Sequence, residues 1–301
     1  MAGSFLPYGR QTITDSDIAA VEAVLRSPFL TQGPAVPEFE HAVAAKVGAA
    51  HGVAVNSATS ALHLACLALG LGPGDRLWTT PITFVASANC GRYCGAEVDF
   101  VDIDPATALM SVEALEYKLE KSATSGTLPK VLVPVHLCGT SCDMAAIAAL
   151  GQRYGVAILE DASHAIGGHY REEPVGNCGY SSISVFSFHP VKIITTAEGG
   201  LATTNDLLLA QRMADLRSHG ITKEDARFER PAPGPWSYEQ QALGFNYRLT
   251  DLQAALGLSQ LERLESIVSE RQRLLEVYRQ QLVSLPVSLL EIPASVRSAL
   301  H

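Results

Sequence analysis

VAILEDASH, residues 156–164, is an apolar run that delivers two carboxylates, Glu160 and Asp161, to its carboxyl end. In a parallel α/β sheet that end is where ligands bind. Working outward, strand-like runs near Val53 to Asn56, Leu77 to Thr80, Val98 to Ile103 and Val131 to His136 precede it. They alternate with helical patterns near Thr59 to Leu69, Ala86 to Tyr93, Val112 to Lys121 and Met144 to Tyr154. This alternation predicts an α/β fold, a mainly parallel sheet with helices on both faces.

Ahead of the alternation, Thr14 and Asp17 read as an N-cap and its acidic third position, and Ile18, Val21, Val24 and Leu25 as the buried stripe of a first helix stopped by Pro28. A second helix ends near Val47. Beyond a strand at Leu201 to Thr204 the pattern turns helical, at Leu207 to Ser218 and in a long amphipathic stretch from Leu252 to Leu285. A Pro/Gly loop, Arg230 to Gln240, lies between them. Val287 to Ile292 reads as the first strand of a smaller domain. The expected organisation is a large domain over 1–250, then a long helix and the start of an incomplete C-terminal domain over 251–301.

A second stretch bears on chemistry. SSISVFSFHPVKIITTAEGG, residues 181–200, carries a lone lysine, Lys192, among Val191, Ile193 and Ile194. Desolvation lowers an ammonium's pKa and frees its lone pair, as a nucleophilic lysine needs. By itself the stretch suits a snorkelling lysine at a strand end equally well. With a carboxylate at the end of an earlier strand, it supplies the two groups that pyridoxal phosphate chemistry requires, one for the aldehyde and one for the ring nitrogen.

Asn56 to Ala61 lies between a strand and a helix, so its amides and hydroxyls form an anion site at a helix N-terminus, or an ordinary cap through Ser57 or Thr59. The glycine-rich Gly70 to Asp75 follows a helix and precedes a strand, the reverse of a dinucleotide fingerprint, and reads as a turn.

The 301 residues are 47% hydrophobic and 18% charged, enough to bury a full core. A formal charge of -9 with no basic stripe argues against a nucleic-acid partner. MAGSFLPYGRQT has no charged lead before an apolar stretch, and no segment suits a bilayer, so no membrane association and a cytoplasmic location are expected. Six scattered cysteines fit reduced, mostly buried thiols. His136, Cys138 and Cys142 could be imagined as a metal site, but with no paired CxxC elsewhere they read as packing groups and no metal is expected.

Together, NSATSALHLA (56–65), TTPITFVASAN (79–89), VPVHLCGTSCDM (133–144), LEDASHAIG (159–167), SVFSFHPVKIITTAEGG (184–200), LRSHG (216–220) and LGFNYRLTDLQAALGLSQL (243–261) resemble the DegT/DnrJ/EryC1/StrS aminotransferases. These are pyridoxal-phosphate enzymes of aspartate-aminotransferase fold type I that aminate nucleotide-linked keto sugars. The resemblance runs from about Tyr8 onward. It is strongest to the branch that aminates a UDP-linked 4-keto-6-deoxy-N-acetylhexosamine at C4, with L-glutamate as donor, in pseudaminic-acid biosynthesis.

The resemblance implies roles. Lys192 matches the lysine that links to the cofactor and shuttles protons, where a dehydratase branch has histidine. Asp161 matches the partner of the pyridinium nitrogen, and His164 a Gln/His position beside the cofactor. Phe84 matches the aromatic residue stacked on the ring. Ala58, Thr59, Ser60 and Ser187 match the phosphate site. Asn246 matches an asparagine reaching the phosphate from a neighbouring subunit, which implies a homodimer with shared sites. Tyr8, Phe29, Leu30 and Thr31 fall in stretches that touch the nucleotide sugar. Members of the family continue past a segment that Ser298 to His301 begins, and the small domain is expected to be completed there. The alternatives are an aminotransferase of another nucleotide keto sugar, such as a dTDP- or GDP-linked one, and a truncated chain that binds the cofactor without turning over.

Overall fold

In the computed structural model, which describes residues 9–231 and 233–301, α1 (Asp15–Leu25) and α2 (Ala35–Val47) lead into β1 (His51–Val55) and α3 (Ala58–Ala68). Then come β2 (Arg76–Thr79), α4 (Ala86–Tyr93), β3 (Glu97–Phe100), α5 (Val112–Ser125), β4 (Val131–Leu132), α6 (Met144–Tyr154) and β5 (Ala157–Asp161). Two short strands, β6 (His169–Tyr170) and β7 (Glu173–Pro174), precede β8 (Ile183–Ser187), β9 (Gly200–Thr204) and α7 (Leu207–Arg217). The remainder is β10 (Ile221–Thr222), β11 (Glu239–Gln240), α8 (Asp251–Leu261), α9 (Leu264–Leu282) and β12 (Val296–Arg297).

Seven strands form the main sheet in the order β1-β9-β8-β5-β4-β2-β3. The predicted parallel character is found: β2, β3, β4, β5 and β8 pair parallel, and β9 alone opposes both its neighbours. The exception has a local cause. Parallel neighbours need a crossover, whereas β8 and β9 are joined directly by the loop that carries Lys192, closed by the Phe188 amide donating to the Gly199 carbonyl at 2.9 Å. That connection sets Lys192 at the carboxyl end of β8, beside the carboxyl end of β5.

Alternation along β8 sends Val185 into a core shared with Leu62 and Leu64 of α3, and Phe186 into one shared with Phe39 of α2 and Leu264 of α9. A third cluster packs Trp78 and Leu132 against α5 and α6. Gly70 to Asp75 is the predicted turn, with the Gly72 amide donating to Asp75 Oδ2 at 2.9 Å.

Several boundaries differ from the sequence reading. The Val131 to His136 strand pairs regularly only over Val131–Leu132, because Pro134 has no N–H for the ladder. The stretch from Leu252 to Leu285 divides at Glu262 and Arg263 into α8 and α9, and Arg263 turns its guanidinium to Asp17 at 2.7 Å.

Val287 to Ile292 is not a strand: it lies between Pro286 and Pro293, and its Glu291 amide donates to the Ala106 carbonyl. Pairing resumes at β12, antiparallel to β6 in a small sheet with β7.

The first helix also differs. Thr14 and Asp17 form the predicted capping box. Its apolar stripe, however, is not buried, and Ile18 and Leu25 are 57% and 58% exposed. The helix docks on α8 instead through buried Asp17, which accepts from Ser259 Oγ at 2.6 Å and Gln260 Nε2 at 2.8 Å.

Candidate active site

β5 alternates, so its last two carboxylates point to opposite sides of the sheet. Glu160 turns away, into a buried network in which it accepts from His136 Nε2 at 2.7 Å and from the Ser181 hydroxyl. The Cys142 amide donates to His136 Nδ1 at 3.2 Å, which puts the ring proton on Nε2. Cys142 Sγ donates to the Val135 carbonyl beside His136, whereas Cys138 is exposed. The six cysteines are free, five of them buried.

Asp161 turns the other way, to a cavity of about 390 Å³ lined also by Lys192, His164, Phe84, Ser187, Ala58 and Thr59. The carboxylate is 4% exposed. Its Oδ2 accepts from the Ser87 hydroxyl at 2.6 Å and its Oδ1 from the Ser163 amide at 3.2 Å.

Lys192 is half-buried, and burial lowers its pKa while the nearby Asp161 charge works in the opposite sense. Its Nζ lies 3.5 Å from His301 Nε2. The His301 and His164 rings are 4.1 Å apart between centroids, and the Cys138 amide donates to His164 Nδ1 at 3.3 Å. Burial, then the charge of Lys192, pushes His164 down to about 4. Burial, then His164, Lys192 and Arg271, pushes His301 down to about 3. Two neutral imidazoles therefore flank the lysine at neutral pH.

The floor opposite Asp161 is the N-terminus of α3. Ser57 is the cap and accepts the Ser60 amide at 3.1 Å, which leaves the Ala58 and Thr59 amides without intrahelical acceptors, in a partly positive field. β9 starts hard against this turn, and a Cβ on Gly200 would lie 2.4 Å from the Ala58 nitrogen. A Cβ on Gly199 would lie 2.1 Å from Thr196 Oγ1. The Glu-Gly-Gly of the motif is thus what lets the lysine loop return beneath the helix.

The other residues predicted for the site stand elsewhere. Ser60 spends its hydroxyl on Asn56 Oδ1 at 2.7 Å and does not line the cavity. Asn246 is exposed, with its backbone bridged to Ser218, and Phe29, Leu30 and Thr31 are exposed as well. Tyr8 lies outside the described residues. Sequence reasoning gave no site role to Thr83, Ser163, His189 or Glu198, which also line the cavity, as does Ser57 of the Asn56 to Ala61 anion stretch. Ser57 is the cap that stretch offered, and it stands beside the amides it leaves free.

Arg217 of the LRSHG motif has a structural role. Arg217 donates to the Ala54 carbonyl at 2.6 Å and pairs with Glu40, which also accepts the Ala54 amide, clamping α7, β1 and α2 together. The backbone of Arg248 forms an antiparallel bridge with that of Val55.

The profile of the DegT/DnrJ/EryC1/StrS aminotransferase family matches residues 11–301. The chain belongs to that family. The spore coat polysaccharide biosynthesis protein SpsC of Bacillus subtilis is 42% identical over 283 residues, which span 94% of this chain and 70% of SpsC. Among solved structures, Helicobacter pylori PseC, an aminotransferase involved in the biosynthesis of pseudaminic acid, superposes with a TM-score of 0.83 at 34% identity, over 93% of this chain and 71% of PseC. Spr1654 of Streptococcus pneumoniae, described as a sugar aminotransferase and solved in its PMP form, gives 0.88 at 28% identity, over 99% of this chain and 77% of its own.

DegT/DnrJ/EryC1/StrS aminotransferases use pyridoxal phosphate, and the residues here fit that group. The donor set is right: a half-buried amine, a buried carboxylate, and a helix N-terminus with free amides. The glycine cradle keeps space and backbone beside that helix end. Among the described residues, no helix is long and apolar enough to cross a membrane.

Proposed function

We propose that this pyridoxal-phosphate-dependent sugar aminotransferase moves an amino group from L-glutamate to C4 of a UDP-linked 4-keto-6-deoxy-N-acetylhexosamine, in pseudaminic-acid biosynthesis. The observation that carries the chemistry is the convergence of Lys192, Asp161 and the α3 N-terminus on one cavity. The likeness to PseC at 34% identity supports the choice of sugar.

When bound, the cofactor supplies an aldehyde that exchanges with the amino group and a ring that accepts electron density. Lys192, whose charge is disfavoured by burial, would be the amine that holds the cofactor's aldehyde carbon, and its Nζ would be the group that carries a proton to and from the substrate carbon. Asp161 holds a proton at the ring nitrogen by a charge-assisted hydrogen bond. The Ala58 and Thr59 amides and the Ser187 hydroxyl bind the phosphate. Phe84, which lines the cavity and is 70% exposed in the single chain, would stack on the ring and shield it from water. His164 stands beside the ring as a neutral imidazole.

Asn246 sits on the surface, where it contributes to the phosphate site of a second copy in a homodimer. The exposed Ile18, Leu25, Phe84, Tyr93 and Leu243 are apolar surface of the kind a subunit contact covers. Phe29, Leu30, Thr31 and Tyr8 are assigned to the nucleotide sugar.

A second reading, favoured by the 42% identity to SpsC, is a different nucleotide keto sugar, dTDP- or GDP-linked, serving another polysaccharide. Assay with glutamate against a panel of UDP-, dTDP- and GDP-linked 4-keto-6-deoxy sugars, with the amino sugar identified by mass spectrometry, separates the two. We expect turnover of the UDP-linked N-acetylhexosamine. Turnover of only the other sugars would overturn the choice of substrate.

A further inference from the structure

A serine in the first turn of a helix ordinarily caps it or faces water. Ser87, in the first turn of α4, does neither. The N-cap of α4, Val85, makes no side-chain cap, and Ser87 is fully buried with its hydroxyl directed to a carboxylate 74 residues away.

Three oxygens stand near the Ser87 hydroxyl: Asp161 Oδ2 at 2.6 Å, Thr83 Oγ1 at 2.7 Å and the Phe84 carbonyl at 3.2 Å. An ionised carboxylate only accepts, so the serine proton goes to Asp161 and the Thr83 hydroxyl must donate to Ser87. The result is a directed chain, Thr83 to Ser87 to Asp161. Its outer end lies next to Phe84, and both Thr83 and Phe84 line the cavity. One helical turn therefore presents the aromatic side chain and grips the carboxylate.

We propose that Ser87 is a positioning residue that fixes the rotamer of the Asp161 carboxylate and ties it to the turn carrying Phe84. The inference rests on the reading of Asp161 as the partner of the cofactor's ring nitrogen. Without the hydroxyl, Oδ2 keeps no other side-chain donor among the described residues, and the carboxylate can rotate away from the ring. A residue acting this way alters the chemistry through Asp161 and leaves the binding of glutamate almost unchanged.

The test uses the cofactor-loaded protein with Ser87→Ala, Ser87→Thr, Asp161→Asn and the Ser87→Ala/Asp161→Asn double variant. Three quantities are read: the visible absorption of the bound cofactor across about pH 5 to 10, the single-turnover rate with glutamate, and the KM for glutamate.

Ser87→Ala should displace the pH dependence of the absorption and slow the half-reaction about tenfold, the scale of one hydrogen bond to a charged group, with KM for glutamate held within about twofold. Ser87→Thr, which keeps the hydroxyl, should restore both. Adding Ser87→Ala to Asp161→Asn should cost less than about twofold more, since the two act as one unit.

An unchanged spectrum and rate in Ser87→Ala, beside a large loss in Asp161→Asn, would overturn the proposal alone. So would a full tenfold loss from Ser87→Ala in the Asp161→Asn background. A wild-type rate in Asp161→Asn would instead overturn the reading of Asp161, and the proposal with it. If Ser87→Ala does not fold, Ser87→Cys takes its place with the same expected direction.

Discussion

Gly200 lies so close beneath the first turn of α3 that a Cβ there would stand 2.4 Å from the Ala58 nitrogen. One contact thus joins the end of the lysine loop to the helix N-terminus assigned to the phosphate. Backbone cannot give way as a flexible side chain can. Gly200→Ala should cost about 1–3 kcal/mol of stability in urea unfolding and weaken retention of pyridoxal phosphate, since it pushes β9 off the anion site. Wild-type stability and retention would show that the cradle is looser than its geometry.

Asp161→Asn should retain cofactor yet lose transamination. An amide cannot favour a protonated ring nitrogen as a carboxylate does, and each pKa unit lost at that nitrogen corresponds to about 1.36 kcal/mol, a tenfold effect. Single-turnover rates with glutamate should fall about a hundredfold or more, a shift of two such units. Wild-type turnover would leave Asp161 a structural role.

Both carboxylates of VAILEDASH were legible in the sequence as residues at the ligand end of a strand. Which of them faces the cavity was carried by the family resemblance. Composition and pattern had no means of choosing, because the choice depends on strand register, and a slip of one residue would exchange Glu160 for Asp161.

The sheet and most of its helices could be read because each rests on local periodicity. The exposed stripe of α1 could not be read so, since the same 3.6-residue repeat describes a helix packed on a core and one facing outward. Ser87 escaped for a related reason: nothing in TFVASAN marks which hydroxyl will meet a carboxylate 74 residues on.

Asp17 anchors α1 to α8 and α9 from a buried position. Burial opposes its ionisation, but the hydrogen bonds from Ser259 and Thr14 and the charge of Arg263 outweigh it and hold the carboxyl below its usual pKa. Removing one partner of such a pair strands the other, so Asp17→Ala should destabilise by about 3–5 kcal/mol in urea unfolding at neutral pH. The contribution is present above the unfolded pKa of Asp17 and is lost as pH falls through the lowered folded value, so wild type and variant should converge in acid. A loss below about 1 kcal/mol would place Asp17 among ordinary surface pairs.

His164 and His301 give the opposite pH window to a paired histidine. Their folded values, about 4 and about 3, lie below the ordinary 6.5, so between those limits the unfolded chain binds the extra protons. Stability of the cofactor-free protein should be full above pH 6.5 and fall as pH drops toward 4. Solvent screening at these half-buried rings keeps the slope below about 1.4 kcal/mol per pH unit for each histidine. His164→Asn should flatten the profile measured by urea unfolding, and an unchanged slope would mean that the ring is charged or solvated in the folded state.

The central claim is that Lys192 is the residue joined to the cofactor. Protein loaded with pyridoxal phosphate and treated with borohydride should lose its visible absorption and carry a phosphopyridoxyl group on the peptide containing Lys192, read by mass spectrometry. Lys192→Ala should show neither the band nor the label. Label on any other lysine, or a stable visible band in Lys192→Ala, would contradict the account at its base.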